Sequence, residues 1–190
     1  MNASDELAPA TIAHQSAAAL PRSVVLVGLM GAGKSSVGRR LARALRAPFA
    51  DADDEIVAAA GMSIPEIFAA YGEPAFRDLE RRVMARLLGQ APRVLALGGG
   101  AFVDPATRAL VKGVATSVWL RADLETLLAR TARKRGTRPL LAAGDPRATL
   151  ARLMGERYPI YAEADHAVET AHEPPDAIVT RILDLLRKAP

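Results

Sequence analysis

The sequence predicts an α/β domain, a parallel sheet with helices on both faces. Three observations lead there. Short aliphatic, β-branched runs alternate with segments of helical period from about residue 23 onward, the pattern of βαβ units. The first run ends in a glycine-rich stretch that opens a helix. Acidic and glycine-rich segments then follow the second and third runs, at the strand ends where open α/β sheets place their ligands. The chain's 190 residues suit one domain with an inserted flap rather than two large domains.

Residues 1–21 are small, polar or Ala-rich, with Pro9 and Pro21; a flexible leader is expected, with one domain over 22–190. Val24 to Val27, ending at Gly28, reads as a buried parallel strand. From Lys34 to Leu45, Val37, Leu41, Ala44 and Leu45 recur at helical spacing. Phe49-Ala50 is a brief second strand. Residues 53–60 and 64–71 read as short helices parted by Gly61. Residues 73–88 form a longer one, with Phe76, Leu79, Val83 and Leu87 on one stripe. Residues 93–97 are a third strand running into three glycines. A helix over 105–111 and a fourth strand over 115–120 follow, and Asp123 caps a helix reaching Ala132. Residues 134–144 carry charge, Gly and Pro without apolar period. A helix over 146–163, interrupted near Pro159, leads to a fifth strand over 166–169 and a last helix over 175–187. No internal repeat occurs.

Composition narrows the chemistry. Apolar residues are 50% and charged residues 24%, the balance of a soluble globular protein. With 0 Cys, a disulfide scaffold, a cysteine nucleophile and a thiolate zinc site are excluded. The 3 His, at 14, 166 and 172, are too scattered for a His-rich centre. The apolar runs are too short to span a bilayer, and the N-terminus, with its first Arg at 22, lacks the basic region of a secretory signal; the cytoplasm is the default expectation, with no membrane association. Net charge is +4. Only Lys34, Lys112, Lys134 and Lys188 are lysines among the basic residues. The Arg fork suits phosphate and carboxylate, although composition alone favours simple compositional bias as the source of the excess. Without a basic block, and with aromatics at 4%, no nucleic-acid binding is expected.

Gly28-Leu29-Met30-Gly31-Ala32-Gly33-Lys34-Ser35 fits GxxxxGK[ST] at every fixed position, between a strand and a helix as the motif requires. Its backbone N–H groups can point at phosphate oxygens, and the helix adds its positive dipole end. Lys34 is placed to reach the outer phosphates and Ser35 to offer a hydroxyl to Mg²⁺. The motif indicates a nucleoside triphosphate and leaves the acceptor open.

Three later features address the acceptor. Asp51 and Asp53 end the second strand; one can order Mg²⁺ through water and the other can accept a hydrogen bond from an attacking hydroxyl. Solvated loop carboxylates are the plain alternative. Asp54 and Glu55 read as helix N-terminal charges. Arg77 and Glu80, at i and i+3, share a helix face, as an oriented anion receptor or a surface ion pair. Gly98-Gly99-Gly100 follows the third strand directly, as a close-approach loop for a ligand or a flexible connector.

GxxxxGKS, DxD, FRxxE and GGG, in this order and spacing, resemble the shikimate kinase family. The resemblance continues in Arg138-Pro139-Leu140-Leu141, similar to the family's RPLL lid motif, and in Arg157-Tyr158-Pro159-Ile160-Tyr161, similar to its RxxxY segment. It covers about residues 23–187. It implies a nucleoside-monophosphate-kinase-like P-loop fold, five parallel strands in the order 2-3-1-4-5 with a lid. It also implies transfer of the ATP γ-phosphate to the 3-hydroxyl of shikimate, in aromatic amino-acid biosynthesis. By the same resemblance Gly31, Ala32, Gly33, Lys34, Ser35 and Ser36 hold the ATP phosphates, and Ser35 and Asp51 serve Mg²⁺. Asp53 holds shikimate hydroxyls and is the candidate base. Arg77 and Arg157 grip the carboxylate, Gly99 and Gly100 meet the ring, and the substrate-binding helices span about 53–90. Arg138, in a lid of about 133–144, reaches phosphate and substrate, while Arg130 and Pro175 flank adenine. A monomer is expected. The competing readings are another kinase of the same fold, such as a gluconate kinase, and a nucleotide-dependent switch. The first is not expected to combine GGG with FRxxE. The second normally carries a base-specificity motif such as NKxD, which does not occur here.

Overall fold

The computed structural model describes residues 20–132, 145–171 and 173–188. Five strands, β1 (Ser23–Val27), β2 (Phe49–Asp51), β3 (Val94–Ala96), β4 (Ala115–Arg121) and β5 (His166–Glu169), form one parallel sheet in the order β2-β3-β1-β4-β5. The helices are α1 (Lys34–Leu45), α2 (Ala52–Ala60), α3 (Ile64–Leu88), α4 (Pro105–Val114), α5 (Leu124–Ala132), α6 (Pro146–Tyr161) and α7 (Pro175–Lys188). The parallel α/β architecture is the one that the sequence pattern predicts, and the strand order is the one that the family resemblance implies.

β1 is central because it can be. Its five residues are all buried, so both faces of the strand take helices, and Val24 pairs with Val94 on one side and Thr116 on the other. Leu26, Leu41, Leu95, Leu120 and Ile182 are fully enclosed in the layers so formed. The register also builds the site. Asp51 pairs with Ala96 and Val27 with Trp119, so the segments following β1, β2 and β3 leave the sheet side by side at one edge.

Helix starts follow local chemistry. Asp104, Asp123 and Asp145 accept from the N–H of Thr107, Thr126 and Arg147 at 2.8, 2.7 and 2.9 Å, each satisfying an orphan donor. Ser63 and Glu66 form a capping box at the start of α3. That helix bends at Gly72, where φ is 77°, a value that glycine accepts readily. Its two arms are the helices expected over 64–71 and 73–88.

One expectation is corrected. Pro159 does not interrupt α6, which runs on to Tyr161. A proline here removes a single N–H, the one aimed at Gly155 in the helix's last turn. That turn is held from outside, because the Tyr158 and Tyr161 hydroxyls donate to the carbonyls of Ala122 and Gly99. Residues 133–144, including Arg138 and the expected lid, lie outside the described residues, as do residues 1–19 of the expected leader. Among the described residues no helix is long and apolar enough to cross a membrane.

Candidate active site

A cleft of about 1210 Å³ opens beyond the ends of β1, β2 and β3, above the roughly 300–1,000 Å³ usual for one small ligand. It has two ends. One is built from the glycine-rich loop and α1, with Arg130 and Pro175 beside it. The other is lined by Asp53, Arg77, Glu80, the Gly98–Gly100 loop and Arg157.

The first end has the shape expected of a phosphate cradle. α1 begins at Lys34 behind Gly33, and no side chain caps it; its first N–H groups are thus left for an anion, at the positive end of the helix dipole. Lys34 Nζ folds back over the loop and donates to the carbonyls of Gly28 and Leu29 at 2.8 and 3.1 Å. Ala32 is buried, and its N–H donates to Leu29 at 3.1 Å, closing the turn. Ser36 lines the cleft with its hydroxyl accepting from Arg40 at 2.9 Å.

Ser35 and Asp51, the pair that the family resemblance assigns to Mg²⁺, meet. Ser35 Oγ donates to Asp51 Oδ2 at 2.6 Å, and Asp51 Oδ1 accepts from the N–H of Asp53 at 3.2 Å. Asp51 is thereby the N-cap of α2 as well as a wall of the cradle. Ala52 turns into the core, which leaves Asp53 facing the cleft. Burial raises the Asp53 carboxyl above its ordinary value, the Asp51 charge adds to the rise, and Lys34 acts against it.

At the acceptor end Arg77 and Glu80 form a partly buried pair. Arg77 Nη1 lies 2.7 Å from Glu80 Oε2, and the Glu80 side chain is only 3% exposed. Burial raises the Glu80 carboxyl, Arg77 opposes this, and the charges of Asp53 and Asp104 add to the rise. Glu73, a partner the sequence reading missed, accepts from Arg77 Nη2 at 3.1 Å; its i,i+4 spacing was the available signal. The surface ion-pair reading therefore fails for Glu80 and holds for Glu73, which is 64% exposed.

Arg157 arrives from α6 and donates from Nη1 to the Gly99 carbonyl at 2.9 Å. Each glycine of the loop lies against a different side chain of the site. A Cβ on Gly98 would stand 2.5 Å from Asp53 Oδ1, one on Gly99 3.3 Å from Arg157 Nη1, and one on Gly100 2.8 Å from Arg77 Nη1. The run is a packed wall, not a flexible connector. The cleft also has an apolar side wall of Val57, Ile64, Phe68 and Phe76, of which sequence singled out only Phe76, as a residue of a core stripe. Val57 and Phe68, 38% and 37% exposed, follow the helical period of core residues, which hides them.

Arg130 lies between the cradle and the segment after β5. It donates from Nη1 to the carbonyl of Ala32 at 3.4 Å and to Thr170 Oγ1 at 3.2 Å, and from Nη2 to the Thr170 carbonyl. Pro175 opens α7 on the same rim.

Fold and cleft together define a phosphate-loop kinase, with a nucleotide cradle at one end and a carboxylate-and-arginine pocket at the other. A sequence model of the shikimate kinase family matches residues 30–187. The shikimate kinase of Paramagnetospirillum magneticum is 61% identical over 163 residues, covering 86% of this chain and 83% of that one. The shikimate kinase of Caulobacter vibrioides is 56% identical over 186 residues, covering 98% and 88%. Among solved structures, shikimate kinase from Acinetobacter baumannii in complex with shikimate is 38% identical, with a TM-score of 0.83 over 87% of this chain and 93% of that one. The chain belongs to the shikimate kinase family, and it is an ATP-dependent small-molecule kinase.

Proposed function

We propose that this enzyme transfers the γ-phosphate of ATP to the 3-hydroxyl of shikimate, giving shikimate 3-phosphate and ADP. The observation that carries the reading is the convergence of Arg77, Arg157 and Asp53 on one glycine wall, in the same cleft as the phosphate loop. A polyhydroxy acid needs cations for its carboxylate and carboxylates for its hydroxyls, and both kinds are present.

In this reading the N–H groups of Gly31 to Ser36 hold the ATP phosphates, and Lys34 leaves its loop carbonyls to meet the outer ones. Arg77, oriented by Glu80, and Arg157, oriented by the Gly99 carbonyl, hold the acceptor carboxylate. Asp53 accepts the hydroxyl proton or orients that hydroxyl as the new O–P bond forms and the bond to ADP breaks. A loose transition state asks mainly for positioning and charge neutralisation. Arg130 and Pro175 are assigned to the adenine side by resemblance, and Arg138 to late charge neutralisation by its RPLL motif alone.

Mg²⁺ fits the donor set. Ser35 Oγ and Asp51 Oδ2 are hard oxygens 2.6 Å apart, and the described residues contain no cluster of three or more His, Asp or Glu that could hold a metal. That suits an ion that takes one or two protein oxygens and completes its shell with phosphates and water. Bound there, the ion neutralises phosphate charge. The enzyme is proposed to act as a cytoplasmic monomer without nucleic-acid or membrane partners.

The test is ADP release from ATP and Mg²⁺, with and without shikimate. Turnover that depends on shikimate, and not on gluconate, is expected. ATP hydrolysis indifferent to either acceptor would return the chain to the switch reading.

A further inference from the structure

We propose that Tyr161 is a positioning residue for the acceptor site, fixing through Gly99 where Arg157 presents its guanidinium. The inference rests on the reading that Arg157 meets the acceptor carboxylate.

Arg157 and Tyr161 are i,i+4 on α6 and so share a face. Both donate to the same atom, the Gly99 carbonyl oxygen. A carbonyl has two lone pairs, so these two donors saturate it. They differ in stiffness. The Tyr161 side chain has two torsions and is 1% exposed, with Trp119 and Tyr158 at ring-centroid distances of 6.2 and 6.3 Å. The arginine has a long flexible stem and lines the cleft. The rigid phenol therefore fixes the carbonyl, and the carbonyl orients the flexible cation. Its bond to Gly99 uses one N–H of the guanidinium fork. The missing Cβ at Gly99 leaves room for the guanidinium, since one there would lie 3.3 Å from Arg157 Nη1, while Tyr161 Oη at 3.9 Å would be at ordinary contact distance. Burial raises the phenol above its ordinary value, against the opposing charge and hydrogen bond of the adjacent Arg157, so it stays a donor at neutral pH.

Tyr158 is a control supplied by the molecule. It sits three residues earlier in the same aromatic cluster, 4.9 Å from Trp119, and its hydroxyl also bonds a carbonyl. That carbonyl belongs to Ala122, and neither Ala122 nor Tyr158 lines the cleft. A purely structural role for the tyrosine hydroxyls predicts the same consequence at both positions.

Tyr161→Phe keeps the ring and removes one neutral hydrogen bond, so the KM for shikimate should rise about fivefold. The kcat and the KM for ATP should stay within about twofold, and Tyr158→Phe should leave the shikimate KM within the same margin. In an Arg157→Ala background, Tyr161→Phe should add little, because a residue acting through another is not additive with it. Gly99→Ala approaches the same contact from the backbone side and should also raise the shikimate KM selectively. Emission of Trp119, the 1 Trp of the chain, checks that each variant packs its aromatic cluster. An unchanged shikimate KM in a folded Tyr161→Phe overturns the inference, as does an equal rise for both substrates or full additivity with Arg157→Ala. If the unaltered enzyme does not phosphorylate shikimate, the underlying functional reading fails instead.

Discussion

Gly33 and Gly100, in two glycine-rich segments that leave neighbouring strands and line one cleft, show the same residue used for opposite reasons. At Gly33 a Cβ would find its nearest neighbour at 3.9 Å, so space is not the constraint; its φ of +98° is. The loop must turn through a left-handed conformation to aim its N–H groups at phosphate, and only glycine does so at little cost. Gly100 has no positive φ, yet a Cβ there would stand 2.8 and 2.9 Å from the two terminal nitrogens of Arg77. At Gly33 the constraint is therefore backbone conformation alone, whereas Gly28 and Gly31 of the same loop combine a positive φ with close neighbours, a Cβ there standing 2.7 Å from the Leu120 carbonyl oxygen and 3.0 Å from the Thr131 methyl. The acceptor end depends on empty space into which distant side chains fit.

Substitutions can break that comparison, beginning with the largest effect. Lys34→Met should lower kcat by about 10²–10³-fold, the usual loss when one preorganised charge stabiliser is removed, while shikimate binding measured by calorimetry stays near normal. A variant that turns over normally would remove the cradle assignment. Gly100→Ala should displace the Arg77 guanidinium and raise the shikimate KM about tenfold, the scale of one charge-assisted hydrogen bond, with little change for ATP. Gly33→Ala should do the reverse, weakening ATP, and should lower stability by about 1–2 kcal/mol through its left-handed φ. If the two alanines gave the same kinetic signature, the distinction between conformation and space would be wrong.

Asp53 sharpens the comparison by pH. Its folded carboxyl is raised above the ordinary 3.8, so the folded state holds its proton more tightly than the unfolded chain. Its contribution to stability is full at low pH and lost as pH rises through the folded value. Asp53→Asn, besides losing turnover, should therefore melt a few degrees higher than the parent at pH 7, and this gain should shrink as pH falls toward 3.8. For the same reason the acid limb of kcat should fall above the ordinary aspartate range. A melting difference independent of pH would show that the carboxyl is not strained by burial.

The same contrast explains what could be read from sequence. The phosphate loop is eight consecutive residues between a strand and a helix, so local pattern and spacing specify it. The strands and the Asp123 cap were legible for the same reason: Asp123 acts on an N–H group three residues away, as do the caps Asp104 and Asp145, which the sequence reading passed over, on N–H groups three and two residues away. The two arms of α3 were legible as separate helices over 64–71 and 73–88, but not the bend at Gly72 that joins them. The acceptor end was visible only as separate short motifs, and their joint meaning came from family resemblance. Nothing local links Gly99 to Tyr161, which lies 62 residues further along the chain. The apolar wall was hidden because Val57 and Phe68 keep the spacing of core residues. Pro159 was misread because its hydroxyl-bearing neighbours, whose tertiary bonds hold the turn, look like ordinary core aromatics.

The central claim is that Arg77 and Arg157 grip the acceptor carboxylate while the phosphate loop works independently of them. Calorimetric titration of Arg77→Ala and Arg157→Ala, each with shikimate and separately with ADP and Mg²⁺, tests it most directly. The account predicts a shikimate Kd raised tenfold or more in both variants, as loss of a charge-assisted contact of roughly 1.5–3 kcal/mol implies, with the ADP Kd within about twofold of the parent. Equal weakening of both ligands, or unchanged shikimate binding, would contradict it.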